Sequence, residues 1–221
     1  MRLQVKRADT LKEQVYRKLK TLLTTGQLDP AVYYSANQFA ERLGVSRTPA
    51  REALLQLEAE GFLIAEDNRG FRVKEFSEKE ARDFFEMRRL METYAISRLC
   101  ETLSDEHLQQ LRDSFKRMKG ACERRDVAEL IASDEAFHLV IVSGTDNLFL
   151  KSLIRNIRDF IAVFGRRMVE DDARMDEVVE EHEQILKALA ARDKSKAADA
   201  MARHLQKTEA RLLQSQTKES R

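Results

Sequence analysis

Apolar residues recur at helical spacing along most of the chain, and the departures from that spacing show where it divides. Leu11, Val15, Leu19, Leu22 and Leu23 fall three or four apart, which predicts an amphipathic helix over about 11–23. Gly26 and Pro30 stop it. A second short helix is expected over about 36–43, ended by Gly44. A third is expected over about 48–60, with Ala53, Leu54 and Leu57 inward and Gly61 beyond its end. Phe62-Leu63-Ile64-Ala65 and Gly70-Phe71-Arg72-Val73 flank the polar run Glu66-Asp67-Asn68-Arg69, the pattern of a small hairpin. Three short helices and a hairpin within about 75 residues outline a winged helix-turn-helix.

After Ser77 there is no proline, and six helices are expected over about 78–103, 104–125, 126–144, 147–170, 173–192 and 194–216. Ser77 with Glu80 completes a capping box, whereas Ser104 with His107 offers only the cap. The polar residues from Gln214 onward are expected to fray. The expected fold is mainly α. An N-terminal winged helix-turn-helix occupies 1–76 and an antiparallel all-helical bundle 77–221.

Composition sharpens this picture. Only 7 glycines and 2 prolines occur in 221 residues, well under the ordinary share of about 12%, which argues against a many-stranded sandwich or a disordered chain. The net charge of +1 conceals an asymmetry: residues 1–75 carry 13 Lys/Arg against 10 Asp/Glu, the remainder 26 against 28. A slightly basic head suits a polyanion partner. No apolar run approaches the roughly 18 residues that cross a bilayer, and the first residues lack the apolar stretch of a secretion signal. Cys100 and Cys122 form no CxxC and no disulfide framework, as expected in a reducing cytosol. A cytoplasmic protein with no membrane partner is expected.

The sharpest local signal runs from Phe39 to Leu54. Helix, glycine-containing turn and helix have helix-turn-helix spacing. Thr48 is expected to cap the second helix, with Pro49 at its first position. Arg47 and Arg51 then lie about one turn apart at the end that enters a major groove, where an arginine fork matches the two acceptors of guanine. Solvated arginines on an ordinary surface helix are the alternative.

Histidine is scarce: His107, His138, His182 and His204 are the complete set. Asp134 and His138 share one helix face. If the last two helices form an antiparallel hairpin near Asp193, His182 and His204 fall at similar height. Three imidazoles and a carboxylate converging in a bundle core suit a divalent transition metal with open positions. Taken alone, Asp-x-x-x-His is commonly just a helix-surface pair. Arg88 and Glu92 form an i, i+4 pair that serves either as a helix brace or as part of a site. Asn147 stands where it either caps a helix or lines a pocket.

These segments resemble a known family. Leu43-Gly44-Val45-Ser46-Arg47-Thr48-Pro49, Arg51-Glu52-Ala53-Leu54, Leu57, Glu60-Gly61, Arg69-Gly70 and Val73 are similar to the winged helix of GntR-type bacterial transcription regulators. The resemblance implies contact with double-stranded DNA through Ser46, Arg47, Thr48, Arg51, Arg69 and Gly70. Arg47 and Arg51 would meet base edges, Thr48 a phosphate, and Gly70 would let the wing tip approach the minor groove. Two departures stand out: Ala31 follows Pro30 where glycine is common, and Ala36-Asn37 replaces a frequent Glu-Arg.

Asp134-Glu135-Ala136-Phe137-His138, Asn147, Glu181-His182, Ile185, Ala188-Leu189, Arg192-Asp193, Ala198, Met201 and His204-Leu205 resemble the FCD ligand-binding domain of the FadR subfamily. Six helices without an extra one before Ser77 are similar to the VanR-like branch. The resemblance implies Asp134, His138, His182 and His204 as metal ligands, Zn or Ni as occupants, and His107 outside the site. It also implies Arg88 and Asn147 as effector-binding residues, a small carboxylate as effector, and an outward Arg89. The implied whole is a homodimeric, effector-controlled regulator, commonly a repressor, on a palindromic operator, and not an enzyme. The alternative from another class is a helical metalloenzyme acting on a small organic acid. Against it, no HExxH, Cys-His or Ser-His-Asp arrangement is apparent.

Overall fold

The computed structural model describes residues 9–75, 77–164, 169 and 171–219. Residues 1–75 and 76–221 form two compact units.

In the first unit, α1 (Leu11–Thr24) starts at a capping box. The Thr10 hydroxyl accepts from the Glu13 amide while the Glu13 carboxylate accepts from Thr10 N–H. Val15, Leu19 and Leu23 are buried where α1 packs on α3 (Arg47–Ala59). Leu11, expected on the inward face, is 56% exposed. A helical side chain leans toward the helix N-terminus, so this first-turn leucine reaches past the core. A second box, Ser35 with Gln38, opens α2 (Ala36–Leu43). Gly44 closes it at φ +66°, a left-handed cap that glycine adopts without strain.

The entry to α3 corrects one expectation. Ser46, not Thr48, is the N-cap, and its side chain makes no capping bond. The backbone is still extended at Ser46 (φ −72°, ψ 163°) and turns helical at Arg47. Thr48 and Pro49 therefore lie inside the first turn, where Pro49 still removes only an N–H that has no helical partner. Strands β1 (Leu63–Glu66) and β2 (Gly70–Val73) pair antiparallel, Leu63 opposite Val73 and Glu66 opposite Gly70. Tyr34 bridges to Phe71 along the other edge of β2.

That bridge gives Gly70 a folding role. Gly70 has φ +105°, and a Cβ there would sit 2.6 Å from the Tyr34 carbonyl oxygen. Gly70→Ala is expected to destabilise the first unit by about 1–3 kcal/mol through backbone strain and displacement of Tyr34. Chemical denaturation followed by tyrosine fluorescence checks this; an unchanged first transition would remove the role.

In the second unit, the described helices are α4 (Glu78–Thr102), α5 (Asp105–Glu123), α6 (Val127–Ser143), α7 (Leu148–Phe164), α8 (Asp172–Ala190) and α9 (Lys194–Glu219). Ser77 and Glu80 make the expected capping box, and Ser104 caps α5 through the His107 amide. The expected last turn of 147–170 falls largely on 165–168 and 170, outside the described residues, as do 220 and 221 at the polar end. Helix α4 lies along α9 and α5 along α6, and α8 contacts both α5 and α9. Ile96, Leu99, Leu111, Phe137, Ile141, Ile185 and Leu205 are fully buried between them. Helix α8 reverses into α9 through Arg192 at φ +55°. Asp193 follows, its carboxylate accepting from the Lys196 amide. This short connection makes the pair an antiparallel hairpin.

Candidate metal centre and DNA-reading surface

The hairpin brings His182 and His204 to one level, with ring centroids 4.5 Å apart. Helix α6 supplies Asp134 and His138 from the facing side. One donor atom from each of these four residues lies within 4.8 Å of the others. His138, His182 and His204 are buried, and Asp134 is half-buried. His107 is far along the chain's α5 start, hydrogen-bonded to Ser104 Oγ at 3.0 Å, and is not part of the cluster.

Each imidazole is held from behind by an acceptor on its Nδ1. Glu92 meets His138 Nδ1. The Val178 carbonyl lies 2.8 Å from His182 Nδ1, and Glu181 lies 2.8 Å from His204 Nδ1. A carbonyl only accepts, and so does an ionised carboxylate. Burial pushes the Glu92 carboxyl up, but Arg88 and His138 outweigh it and hold it down at about 2. Glu181 is likewise pushed up by burial, and His204 and Arg174 bring it down to about 2. A neutral ring that donates from Nδ1 to such an acceptor keeps its lone pair on Nε2.

Those lone pairs face one another. His138 Nε2 and His182 Nε2 are 3.3 Å apart, and Asp134 Oδ1 is 3.1 Å from His182 Nε2. Burial and the neighbouring His182 push the His204 imidazole down to about 3, against the pull of Glu181. A cluster of acceptors lacking donors fits a cation, and imidazole with carboxylate suits a divalent transition metal. The backing carboxylates and carbonyl are the partners that orient such ligands.

A cavity of about 30 Å³ adjoins the cluster, lined by Asp134 and His204 together with Arg88, Arg174, Thr208 and apolar side chains such as Leu130. Arg88 is 1% exposed. Its Nε donates to Glu92 at 2.5 Å, and its Nη2 has no partner. Arg88 thus braces Glu92 and also lines the cavity. Arg89 turns to Glu209. Asn147, expected as an effector contact, instead caps α7: its Oδ1 accepts from the Leu150 amide at 3.0 Å. It does not line the cavity.

Sequence reasoning missed Glu181, Arg174, Thr208 and the Val178 carbonyl. Glu181 precedes His182 and lies seven residues after Arg174, a two-turn spacing that was available as a signal. Glu183, which follows His182, pairs with Lys187 at 2.9 Å on the exposed side.

In the first unit, Ser46, Arg47, Thr48 and Arg51 are all exposed at the head of α3. Arg47 and Arg51 share a face at i, i+4. Neither makes an ion pair among the described residues. Of the departing pair, Ala36 is buried and only Asn37 faces solvent. At the hairpin tip Arg69 lies over the Tyr33 ring, 5.5 Å from its centroid. Tyr33 donates to Glu66 at 2.7 Å, and Glu66 also accepts from Arg72 at 2.8 Å.

Comparison with known proteins gives these two units a family. The FCD domain profile matches residues 83–207, and the profile described as bacterial regulatory proteins, gntR family, matches residues 11–73. The chain is 32% identical over 170 residues to the Nta operon transcriptional regulator of Aminobacter aminovorans, covering 77% of this chain and 79% of that one. It is 28% identical over 181 residues to the gluconate operon transcriptional repressor of Bacillus licheniformis, covering 80% and 74%. The solved structure of E. coli McbR/YncC superposes with a TM-score of 0.79 at 27% identity, covering 94% of this chain and 99% of that one. These relatives are regulators, and none lends support to the metalloenzyme alternative. No described helix is long and apolar enough to cross a membrane. A helix-turn-helix unit with a two-stranded wing, joined in one chain to a helical FCD unit, identifies the chain as a member of the gntR family of bacterial transcription regulators.

Proposed function

We propose that the chain is a cytoplasmic, effector-responsive repressor whose C-terminal unit binds a divalent transition metal and a small carboxylate. The observation that carries this reading is the cluster of three imidazoles and the Asp134 carboxylate beside a cavity lined by Arg88, whose buried Nη2 has no hydrogen-bond partner. Asp134, His138, His182 and His204 would hold the metal, with Zn or Ni fitting the donor set. When bound, the ion supplies a Lewis-acidic attachment point for a carboxylate oxygen. Glu92, Val178 and Glu181 keep the three rings in the tautomer that leaves Nε2 free. Arg88 offers a planar charged donor to the ligand's carboxylate in a cavity with largely apolar walls. Effector binding is then coupled to DNA affinity, and the coupling runs equally in both directions.

On the DNA side, Arg47 and Arg51 would read base edges, while Ser46 and Thr48 hold phosphate and Arg69 and Gly70 serve at the wing. The test is fluorescence anisotropy of DNA fragments from around the protein's own gene, with and without metal and a panel of organic and sugar acids. DNA binding that a carboxylate weakens supports the reading. Absence of DNA binding, or turnover of an acid, would overturn it.

A homodimer on a palindromic operator is part of the same proposal. Among the described residues, two apolar stripes in the second unit are exposed: Met87, Leu90 and Tyr94 on α4, and Leu148, Phe149 and Leu153 on α7. Phe149 is 83% exposed. Stripes of this kind mark interaction surfaces, and a second copy is the occupant that would also pair two recognition helices. The double variant Leu90→Glu/Phe149→Glu is expected to sediment as a monomer at micromolar concentration while the wild type sediments as a dimer. Identical sedimentation of the two would place the dimer contact elsewhere.

A further inference from the structure

Several exposed cations of the second unit are neutralised by a neighbour on their own helix or beside it. Lys79 pairs with Asp83, Arg82 with Glu78, Arg98 with Glu101, Lys187 with Glu183 and Lys196 with Asp193. Helix α5 differs. Arg112, Lys116, Arg117, Lys119 and, at its C-cap, Arg124 are all exposed, and none of the five side chains makes an ion pair or hydrogen bond among the described residues. They extend over about 18 Å of helix. Arg112, Lys116 and Lys119 lie on one ridge and Arg117 and Arg124 on the next. Asp113 and Glu123 share this face and Glu129 the groove beside it, so five positive charges stand against three negative ones. Between the two ridges sits Gly120. Glycine inside a helix costs stability, and the fold gives no internal reason for it here. The Gly120 backbone is ordinarily helical, and the single atom outside the local backbone that a Cβ would meet within 4 Å is Arg124 Nη1, at 3.2 Å. That atom is the free tip of a flexible side chain. Lys116, Arg117, Gly120 and Arg124 line an open groove of about 480 Å³ between α5 and α6. The bare strip at Gly120 lets an anion approach the helix with cations on both sides.

We propose that this face of α5 binds the phosphate backbone of duplex DNA, as a contact additional to α3 and the wing. Duplex DNA carries about one charge per 1.7 Å of its axis, so it engages cations spread along a helix together and gains by releasing counterions. A small anion would stay largely in water in so open a groove, whereas small-ligand sites enclose their ligands. A protein partner fits less well, because neither α5 nor α6 has an exposed large apolar side chain among the described residues. Protein interfaces are centred on buried anchors of that kind. Phosphate contacts carry no base information. The α5 face therefore adds affinity for every sequence and leaves base reading to α3.

The test is fluorescence anisotropy of the full chain with a duplex from around its own gene and a scrambled duplex, at several salt concentrations. Lys116→Glu/Arg117→Glu is compared with Lys187→Glu/Lys196→Glu, which makes the same change in net charge on other helices. The α5 variant is expected to weaken both duplexes about tenfold or more and to lower the salt slope by about two, one for each lost phosphate contact. The control variant should lose about threefold or less, through screened long-range charge alone. Gly120→Gln keeps every charge. It should melt at or above the wild-type temperature, since glutamine is the better helix former, while binding both duplexes about threefold more weakly as the phosphate is held off the helix. Wild-type affinity and slope in the α5 variant overturn the proposal, and so does an equal loss in the control. Loss confined to one duplex makes the contact sequence-dependent and overturns it as well. Gly120→Gln that binds as wild type removes the close approach on which the proposal rests.

A wild-type measurement covers the case in which a variant does not fold. Saturating duplex should protect Lys116 and Lys119 from an amine-acetylating reagent, read by mass spectrometry, and leave Lys187 and Lys196 as reactive as in the free protein. Lys116 and Lys119 that react equally with and without DNA overturn the assignment.

Discussion

Purified wild-type protein is expected to carry about one equivalent of divalent transition metal per chain, and His138→Ala or His204→Ala close to none. Either change removes a ligand and leaves its backing carboxylate, Glu92 or Glu181, buried without the ring it holds. Metal binds only the folded bundle, so it stabilises by mass action: about 4 kcal/mol at a free metal concentration a thousand times Kd. For a unit of this size that corresponds to roughly 10 °C in melting temperature. The variants should lose the metal-dependent rise entirely. Glu92→Gln keeps the shape but not the charge behind His138, and is expected to weaken metal binding about 10–100-fold. His107→Ala should behave as wild type, because its ring only hydrogen-bonds the Ser104 hydroxyl, and the backbone amide that Ser104 caps is kept. Elemental analysis beside thermal melts with and without chelator decides the matter. Near-zero metal in every protein, with no thermal response, would make the histidines a purely structural cluster.

The contrast between the ligands and their supports explains what the sequence could reveal. Helical periodicity and capping residues define local structure, so the helix positions, the hairpin and the reversal at Asp193 were legible to within a few residues. The four candidate ligands were legible because histidine is rare here and the spacing of His182 and His204 matches a helical hairpin. The supports were not. Glu181 and Arg174 are common residue types in a chain that is 35% charged. Nothing local distinguishes them from the exposed Glu183 and Lys187 nearby. Their roles appear only when α8 and α9 pack and exclude water. Thr48 and Asn147 are a different case. Both offered a cap reading, and a shift of two residues in where α3 begins was enough to take the cap from Thr48. At Asn147 the cap reading prevailed over the pocket.

Arg47→Ala and Arg51→Ala are each expected to cost about 1–3 kcal/mol of operator affinity per half-site and to relax base preference. The geometry makes this a clean experiment. Both side chains are exposed and unpaired among the described residues, so their removal should change stability by no more than about 0.5 kcal/mol. Lost DNA binding could then not be ascribed to unfolding. Thr48→Val should weaken all DNA sequences more evenly, since a phosphate contact carries no base information. Anisotropy titrations at several salt concentrations separate the two cases. Removing a phosphate contact lowers the salt slope, whereas removing a purely base-directed one leaves it nearly unchanged. Arg69→Ala should have a smaller effect than either α3 arginine, because Glu66 already neutralises part of its charge at 3.8 Å. Tyr33→Phe offers a finer probe of the wing. It removes the hydroxyl that ties Tyr33 to Glu66 while keeping the ring beneath Arg69, so it should free Glu66 to pair more closely with Arg69 and weaken DNA binding slightly. Wild-type affinity and preference in the Arg47→Ala/Arg51→Ala double variant would remove α3 as the reading helix, whatever the wing contributes.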